Sequence, residues 1–264
     1  MFKSTAKEEE IRSLLNSYAK DIDIEIVEEI GSTNDELKYQ AINGESEIKL
    51  LIAEKQTKGK GTKGRAFFSP ANTGCYMSFL LRPEYSAEEC TLLTTAAATA
   101  TALAIEYVTE KKAQIKWVND IYMDRKKVAG ILTEASFKKN GSGIDYVIVG
   151  IGVNISPPEG GFPTEIENIA TSITDSDTFY GKNSLIAQIA NEFLFFYKFL
   201  GKRSFMQDYK KRLFFLGEEI TVTQGSESYS AIAIDIDSMC HLIVKTADGN
   251  EKTLHSGEIS IKLN

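Results

Sequence analysis

The sequence has few of the residues that build disulfide frameworks or protein-held metal sites. Its 264 residues include three cysteines and two histidines, and no Cys-x-x-Cys pair. We therefore expect Cys75, Cys90 and Cys240 to be free, reduced thiols, and we expect no metal ion held by the protein alone. His241 and His255 lie far in sequence from the motifs described below, so a Ser-His-Asp or zinc mechanism has little support.

Signals for export, membrane insertion and nucleic-acid binding are also missing. The first residues contain no apolar core of a signal peptide, and no run of 18 apolar residues predicts a membrane span. The net charge of −7 argues against the broad basic face that a nucleic-acid-binding surface needs. The hydrophobic share of 42% is enough for a packed core. These features favour a cytoplasmic, folded protein that binds neither membrane nor DNA.

One ten-residue stretch is basic and rich in glycine, although the chain as a whole is acidic. Residues 56–65, QTKGKGTKGR, carry four cations and three glycines directly after an apolar run. Glycine lets backbone N–H groups surround an anion, and cations add charge-assisted hydrogen bonds to it. The stretch predicts a loop that closes over an anionic small molecule, while a solvated hairpin tip is the alternative with the same composition.

Two familiar phosphate-binding motifs do not fit this loop. The glycines at 59, 61 and 64 have the spacing of the dinucleotide fingerprint, but the residues that follow, RAFFSPANTG, do not begin the helix which that motif requires. The P-loop needs lysine and then serine or threonine after its last glycine, whereas Arg65 and Ala66 follow Gly64.

The apolar pattern predicts mixed helices and strands first, and short strands alone near the end of the chain. Helices are expected at 7–20, from Thr33 with Glu36 in a capping box, and at 88–109, 184–200 and 204–212. Strands are expected at 22–30, 48–53, 74–81, 146–153 and as a hairpin within 115–135. Five more strands are expected near 219–223, 229–237, 241–246, 251–255 and 259–263, which suggests a small barrel. We therefore expect two domains, 1–216 and 217–264.

Polar residues stand at the ends of several predicted elements. The block 32–34, Ser-Thr-Asn, lies at a helix start, where its side chains either cap the helix or line a pocket. Lys127 leads the return strand of the hairpin, and its side chain either faces solvent or points inward beside Lys116, Asn119 and Asp120. Further on, the strand 146–153 ends in GIGVN, which either forms a turn or brings backbone and an amide to a ligand.

In this order and spacing, STN, QTKGKGTKGR, KWVNDIYMDRKKVAGIL and GIGVN resemble the motifs of biotin–protein ligases, and the resemblance covers nearly the whole chain from about residue 24. It implies an α+β fold: a mixed β-sheet catalytic domain flanked by helices, of the class II synthetase-like and lipoyl-ligase-like type, and a small C-terminal SH3-like β-barrel. It also implies ATP- and Mg²⁺-dependent transfer of biotin, through biotinyl-5′-adenylate, to a lysine of a biotin carboxyl carrier domain. A monomer and a homodimer both remain open.

The resemblance assigns a role to each matching position. Lys127 is the expected catalytic residue, at the activated carboxyl oxygens. The expected biotin-binding residues are Ser32, Thr33, Asn34, Gln56, Gly59, Lys60, Gly61 and Thr62, together with Lys127. The expected nucleotide-binding residues are Lys63, Gly64, Arg65, Phe67, Lys116, Trp117, Asn119, Asp120 and Asn154.

Some positions depart from the family pattern, and other functions compete with this one. The family usually reads Gly-Arg-Gly-Arg where this chain has Gly-Lys-Gly-Thr at 59–62, so we expect weaker retention of the adenylate. Phe67 stands where the family often has tryptophan. A lipoate ligase or octanoyltransferase is the nearest alternative, but its Arg-Arg-x-Ser-Gly-Gly-Gly block is missing. A non-catalytic sensor would not need Lys127. Only 31 residues precede Ser32, and we therefore expect no amino-terminal DNA-binding module.

Overall fold

A computed structural model describes residues 5–45, 47–141, 143–175 and 181–261. Its larger sheet contains seven strands: β1 (Asp23–Ile30), β2 (Lys49–Gln56), β3 (Gly74–Leu81), β4 (Gln114–Lys116), β5 (Asp120–Met123), β6 (Lys126–Phe137) and β7 (Ile144–Asn154). Their order across the sheet is β1-β2-β3-β7-β6-β5-β4. Only β1 and β2 run parallel among these neighbours, and every other pair is antiparallel.

Helices cover both faces of this sheet, which explains why its central strands are almost continuously apolar. The described helices are α1 (Glu8–Ser13), α2 (Thr33–Ile42), α3 (Ala87–Cys90), α4 (Leu92–Thr109), α5 (Lys182–Lys198) and α6 (Met206–Arg212). On one face α2 packs through Leu37 and Ala41 onto Leu51, Leu80 and Ile148. The main core, on the other face, lies under α4 and α5, and all eight residues of β3 are buried between the two layers.

The segment Ala87–Thr109 is the one described helical segment that is long and apolar enough to cross a membrane. Most of its apolar window is buried inside the protein, where α4 packs on the sheet and on α5. Its alanines and threonines are small, so the helix can approach its neighbours closely, and Thr99 and Thr101 satisfy their buried hydroxyls by donating to the carbonyls of Thr95 and Ala97. The composition of this helix is therefore that of a core element.

Three predicted helices differ from the observed ones. The helix expected at 7–20 ends at Ser13, and the chain then turns at Asn16, whose side chain accepts from the backbone of Tyr18. The helix expected at 88–109 is two helices, and a capping box of Ser86 with Glu89 begins the first of them. The capping box expected at Thr33 is wrong: Ser32 is the N-cap residue, and its side chain makes no capping hydrogen bond.

The smaller sheet is antiparallel and contains the five strands that the sequence predicts near the carboxyl end. They are β8 (Glu219–Gln224), β9 (Glu227–Ile236), β10 (Leu242–Thr246), β11 (Glu251–Leu254) and β12 (Glu258–Ile261), in the order β11-β10-β9-β8-β12. The predicted α+β fold is confirmed, with this sheet in the place of the small barrel. The boundary near residue 216 stays a prediction.

The small sheet is joined to the larger unit by buried contacts. The Trp117 indole, which is 5% exposed, donates a 2.9 Å hydrogen bond from Nε1 to the carbonyl of Cys240, in the turn that precedes β10. Within the larger unit, the hydroxyl of Tyr209 on α6 donates to the carbonyl of Val118, the residue after Trp117, at 3.0 Å. All three cysteines are free, as predicted, and all three are buried. Burial raises the pKa of the Cys240 thiol to about 11.

Candidate active site

A pocket lies on the larger sheet, between the start of α2, the basic loop and strands β6 and β7. Ten of the predicted site residues line it: Ser32, Thr33, Asn34, Gln56, Lys60, Gly61, Thr62, Phe67, Asn119 and Lys127. The remaining lining residues are not among the predicted site residues, although 150–152 belong to the GIGVN motif, and all of them are apolar or glycine: Met77, Gly130, Ile131, Leu132, Gly150, Ile151 and Gly152. The structure therefore brings together residues from four separate blocks of the sequence.

Hydroxyl and amide groups form the polar end of the pocket. Gln56 Oε1 accepts from the backbone N–H of Thr33 at 2.9 Å, and Gln56 Nε2 donates to Ser69 Oγ at 3.1 Å. Ser32 is 3% exposed, and within the described ranges its hydroxyl has no hydrogen-bond partner. A buried hydroxyl that faces a pocket without a partner is costly unless a ligand or water satisfies it. Ser32 is therefore available to bind a polar ligand atom.

Asn34 is buried and held from two sides. Its Nδ2 donates to Glu134 Oε2 at 2.8 Å, and its Oδ1 lies 2.6 Å from Ser78 Oγ. The amide lies against the backbone of Gly150, where a Cβ would be 2.2 Å from Asn34 Oδ1. Only glycine leaves room for this close approach.

Gly152, the second glycine of GIGVN, likewise leaves room for a side chain to lie against β7 in the floor of the pocket. A Cβ on Gly152 would lie 2.6 Å from the ring of Phe67, which covers this part of β7. Phe67 also packs edge-on against Tyr76, with ring centroids 6.4 Å apart. The two glycines thus let one amide and one aromatic ring lie directly on the sheet, a use that the sequence pattern alone did not reveal.

The basic loop folds back on itself above the pocket. The Gly61 N–H donates to the carbonyl of Arg65 at 2.7 Å, and the Phe67 N–H donates to the carbonyl of Gly59 at 2.9 Å. Gly59 is packed under Phe67 rather than lining the pocket, since a Cβ there would be 2.4 Å from the Phe67 carbonyl oxygen. Gly64 has a φ of +74° and also lies outside the pocket lining. The ligand contacts expected for these two glycines stay predictions.

Three cations of the loop are paired with carboxylates from distant parts of the chain. Lys60 forms an ion pair with Asp35 on α2, and this hydrogen bond raises the pKa of the Lys60 ammonium. Arg65 forms an ion pair with Glu258 at the start of β12, and Lys63 Nζ lies 3.4 Å from the same carboxylate. The loop is therefore tethered to α2 at one point and to the small sheet at another.

The Lys127 side chain points inward, which is one of the two alternatives that the sequence left open. Its Nζ lies 2.6 Å from Asp120 Oδ1, and its backbone is bonded to Ile169 and Thr171 in the following loop. Gly130 lies beneath it, and a Cβ there would be 3.1 Å from Lys127 Nζ. Lys116 is half-buried close by, and burial lowers the pKa of its ammonium although the charge of Asp120 partly opposes this effect. Two cations and one carboxylate thus meet at the edge of the pocket.

Two clefts adjoin the pocket, and their linings contain every residue expected to bind a nucleotide except Gly64. One is lined by Arg65, Phe67, Lys116, Asp120, Lys127 and Asn154, with Phe68, Phe162, Ile166 and Ile169 as apolar wall. The other is lined by Lys63, Arg65, Lys116, Trp117, Asn119 and Asp120, and on its far side by 255–260. The contribution of 255–260, which includes His255, was missed because sequence separation does not show that this segment returns to the site.

The described residues contain no group of three histidine, cysteine, aspartate or glutamate side chains that would hold a metal ion. Asp120 is the carboxylate that both clefts share. A site with a single carboxylate fits Mg²⁺, which proteins commonly hold with one or two carboxylates together with substrate phosphates.

Comparisons with known proteins place this geometry in a family. The family profile described as Biotin/lipoate A/B protein ligase family matches residues 27–154, and that of Biotin protein ligase C terminal domain matches residues 215–262. The solved structure of biotin protein ligase from Aquifex aeolicus in complex with biotin and ATP is similar, with a TM-score of 0.71, 27% identity, and coverage of 92% of this chain and 99% of that one.

Curated relatives agree with these profiles. Biotin--[acetyl-CoA-carboxylase] ligase of Mycobacterium tuberculosis is 25% identical over 247 residues, covering 89% of this chain and 88% of the relative. Bifunctional ligase/repressor BirA of Bacillus subtilis is 36% identical over 147 residues, covering 56% of this chain and 45% of the relative. The chain thus spans about half the length of the Bacillus relatives that it matches.

The mixed sheet, the polar pocket beside a cluster of cations and the following antiparallel sheet define a protein of the biotin and lipoate ligase class. Both family profiles match in the expected order along the chain. The chain belongs to the biotin protein ligase family.

Proposed function

We propose that this protein is a biotin–[acetyl-CoA-carboxylase] ligase. In the first step, a carboxylate oxygen of biotin attacks the α-phosphorus of ATP, the bond to pyrophosphate breaks, and biotinyl-5′-adenylate forms. In the second, the amine of one lysine on a biotin carboxyl carrier domain attacks the activated carbonyl, AMP leaves, and the nitrogen loses a proton to solvent. The observation that carries this proposal is that Ser32, Thr33, Gln56 and Lys127 line a single pocket.

The polar end of the pocket suits the ureido ring of biotin. A ureido group has two N–H donors and one carbonyl acceptor, so it needs partners of both kinds. Ser32, Thr33 and Gln56 supply hydroxyl and amide groups there, whereas carboxylates would serve only the two donors. Met77 and Ile131 give the same pocket apolar walls for the carbon and sulfur atoms of the ligand.

The cations suit the adenylation step. A carboxylate that attacks a phosphate brings two anions together, and fixed positive charge must offset their repulsion. Lys127 lines both the pocket and the first cleft, so its ammonium is available to the reacting carboxyl and phosphate oxygens. Lys116 and Arg65 face the same cleft and would contact the other phosphate oxygens. Asp120 would hold Mg²⁺ together with the phosphates of ATP, and the ion would supply further neutralising charge.

Biotin is favoured over lipoate by the chemistry of the same residues. The dithiolane ring of lipoate has no N–H donor and no carbonyl, and it would leave the hydroxyl of Ser32 without a partner. Thr33 and Gln56 would keep only the hydrogen bonds that they make within the protein. Buried polar groups that lose their partners cost about 1–3 kcal/mol each. The match of the biotin protein ligase C terminal domain profile supports the same choice.

The remaining parts of the proposal concern partners and organisation. We propose a carrier-domain lysine as acceptor, a cytoplasmic location, and a division into a catalytic domain of 1–216 and a small domain of 217–264. In this division the small domain supplies Glu258, which holds Arg65 and Lys63 beside the second cleft.

Three parallel reactions test the function. The first contains the protein, ATP, Mg²⁺, biotin and a carrier domain; the second contains lipoate and a lipoyl domain; the third repeats the first with Lys127→Ala. We expect the first reaction to give a biotinyl adduct on one carrier lysine, detected by mass spectrometry. The second reaction should give no adduct, and the third should give none or form it at a greatly reduced rate. An adduct with lipoate alone would move the protein to the other branch of the class. Tight binding of biotin without any adduct would contradict the ligase function and favour a non-catalytic biotin sensor.

A further inference from the structure

The only two histidines of the chain meet at the open end of a hairpin in the small sheet. His241 directly precedes β10, and His255 directly follows β11. Leu242 and Leu254 are partners across these antiparallel strands, so the two histidines form the next cross-strand pair. Their rings are in contact, with His255 Nδ1 3.3 Å from His241 Nε2 and the ring centroids 4.1 Å apart.

Asp237 fixes the tautomer of the His241 imidazole. Its Oδ2 lies 2.9 Å from His241 Nδ1, and its Oδ1 accepts from the backbone N–H groups of Met239 and His241. Burial would raise the pKa of the Asp237 carboxyl, but hydrogen bonds from His241 and Met239 outweigh this effect and lower it. Asp237 is therefore a carboxylate, which can only accept. His241 Nδ1 must carry a proton, and Nε2 of the neutral ring has a lone pair on the side of His255.

Metal-binding histidines in proteins have this arrangement. A histidine that binds a metal through one ring nitrogen almost always donates its other N–H to a carboxylate, a backbone carbonyl or water, which fixes the ring and raises its basicity. In a tetrahedral zinc site with Zn–N bonds of about 2.0–2.1 Å, two ring nitrogens lie about 3.4 Å apart. The facing nitrogens of His241 and His255 are already at nearly this separation.

An ion between the two rings requires a lone pair on each facing nitrogen. In the observed contact the rings lie edge to face, and the His255 Nδ1–H faces the lone pair of His241. His255 is exposed, so its ring is free to turn about its side-chain bonds, and its proton can move from Nδ1 to Nε2 by exchange with water. His241, which Asp237 holds, need not move. The protein thus loses no proton when the ion binds.

Oxygen ligands from outside the protein must complete the coordination. The part of the chain that the structure describes has no group of three histidine, cysteine, aspartate or glutamate side chains for an ion, and the three cysteines are buried. His255 belongs to the lining of the second cleft, which also contains Lys63 and Lys116. An ion held by the pair would stand at the edge of this cleft, with water or oxygens of a ligand bound there in its remaining positions.

We propose that His241 and His255 form a binding site for one divalent first-row transition ion, Zn²⁺, Ni²⁺ or Cu²⁺, and that Asp237 is the positioning residue for His241. Imidazole suits these ions, whereas Mg²⁺ prefers oxygen ligands and keeps several of its waters. The site is separate from Asp120, where the proposed reaction would place Mg²⁺. The inference does not depend on the proposed function.

Calorimetric titration of the untagged protein with ZnCl₂, NiCl₂ and CuCl₂ tests the site. We expect one ion per chain, with Cu²⁺ bound more tightly than Ni²⁺ or Zn²⁺, and no competition from excess MgCl₂. His255→Ala and His241→Ala should each weaken binding at least about 10²-fold, because loss of a ligand costs more than loss of the partner that orients it. Asp237→Asn keeps an acceptor for His241 Nδ1 but removes the charge, and should weaken binding about tenfold.

Trp117 shows independently where the ion binds. It is the only tryptophan, and its indole donates to the carbonyl of Cys240, the residue before His241. Bound Cu²⁺ should quench its emission with the same midpoint as the calorimetric titration. Lys245→Ala, at an exposed position of β10, is the control and should bind the ions as the wild type does. Without metal, His255→Ala should unfold at nearly the wild-type temperature, which separates loss of a ligand from damage to the fold.

Three outcomes would contradict the proposal. If neither Zn²⁺ nor Cu²⁺ binds at about 1 mM free ion, the site does not exist and the two rings form only a packing contact. If binding persists in both histidine variants, other groups hold the ion. An affinity that is unchanged in Asp237→Asn would overturn the role assigned to Asp237.

Discussion

Lys127 and Asp120 form an ion pair, with Nζ 2.6 Å from Oδ1, and both side chains line the cleft next to the pocket. Neither side chain is fully buried, with 30% of Lys127 and 24% of Asp120 exposed. An incoming phosphate or carboxylate can therefore reach the ammonium. Asp120 holds the Lys127 side chain in place against the backbone of Gly130.

The first prediction concerns Lys127. Lys127→Ala should lower the rate of adenylate formation about 10²–10³-fold, because it removes a fixed charge aimed at the reacting oxygens. The rate is measured as pyrophosphate release in the presence of biotin and ATP but without carrier. Lys20→Ala, at an exposed position after α1, is the matched control and should react at the wild-type rate. A Lys127→Ala rate within threefold of the wild type would remove Lys127 from the catalytic machinery.

The second prediction concerns Thr62, which lines the pocket where the family usually carries arginine. Its hydroxyl accepts from Arg65 Nη2 at 3.2 Å, so it orders the loop but adds no charge. Thr62→Arg should slow the release of biotinyl-5′-adenylate severalfold, because one more cation would hold the phosphate. The release rate is obtained by forming labelled adenylate and chasing it with unlabelled biotin. Equal release rates in the variant and the wild type would contradict the prediction.

The sequence was sufficient for most of the elements but not for the way in which they meet. Strand β3 and the five strands of the small sheet were predicted because burial and alternation are local patterns. The capping box at Thr33 was predicted wrongly because its hydroxyl is bonded instead to Ser78, which lies 45 residues further along the chain. No local pattern records such a competitor.

The same limit applies to the candidate site. The residues of the motif blocks were predicted to be together, and the pocket lining contains ten of them. For GIGVN the sequence left two alternatives, a turn or a place where backbone and an amide meet a ligand. Gly150 and Gly152 line the pocket, and they also leave the room in which Asn34 and Phe67 lie against β7, which the sequence did not reveal. The contribution of Glu258 was missed, because an ion pair with Arg65 across 193 residues leaves no trace in sequence spacing.

The third prediction compares these two glycines. Gly150→Ala places a Cβ 2.2 Å from Asn34 Oδ1, and Asn34 is held by Ser78 and Glu134, so it cannot move without breaking buried hydrogen bonds. We expect a loss of about 1–3 kcal/mol in the free energy of unfolding and at least tenfold weaker biotin binding. Chemical denaturation and calorimetric titration with biotin measure the two effects.

Gly152→Ala provides the comparison, since its Cβ would meet the outer edge of the Phe67 ring, which can turn aside. It should cost less stability than Gly150→Ala. Gly201→Ala is the control, because its nearest neighbour is Glu89 Oε1 at 3.8 Å. If Gly150→Ala proved no more destabilising than Gly201→Ala, the close packing of the Asn34 amide against Gly150 would not contribute to stability.

The fourth prediction concerns the ion pair that joins the basic loop to the small sheet. Burial disfavours the charged form of Glu258, but hydrogen bonds and charge from Arg65 and Lys63 outweigh this effect, so its pKa is lowered below the ordinary value of 4.5. A carboxylate whose pKa is lower in the folded state stabilises the fold above its unfolded-state pKa, and this contribution disappears as the pH falls through the folded-state value. The contact should therefore stabilise the protein equally at all pH values well above 4.5 and be lost only below it.

Trp117 supplies the measurement. It is the only tryptophan, it is buried, and its indole donates to the Cys240 carbonyl of the small sheet, so its emission reports whether the small sheet remains attached. Because the pair is partly exposed, Glu258→Gln should lower the free energy of unfolding by at most about 1 kcal/mol at neutral pH and low salt. The difference from the wild type should vanish below pH 4.5 and shrink in high salt.

Glu251→Gln, on the exposed strand β11, is the matched control and should show no such difference at any pH. A difference between Glu258→Gln and the wild type that persisted at low pH would show that the variant acts through packing and not through charge. If the difference behaves as predicted, ATP binding should weaken the contact between the basic loop and the small sheet, because a phosphate that binds Arg65 must compete with Glu258 for the same guanidinium. Saturating ATP should then reduce the effect of Glu258→Gln, while biotin, which needs no contact with Arg65, should leave it unchanged.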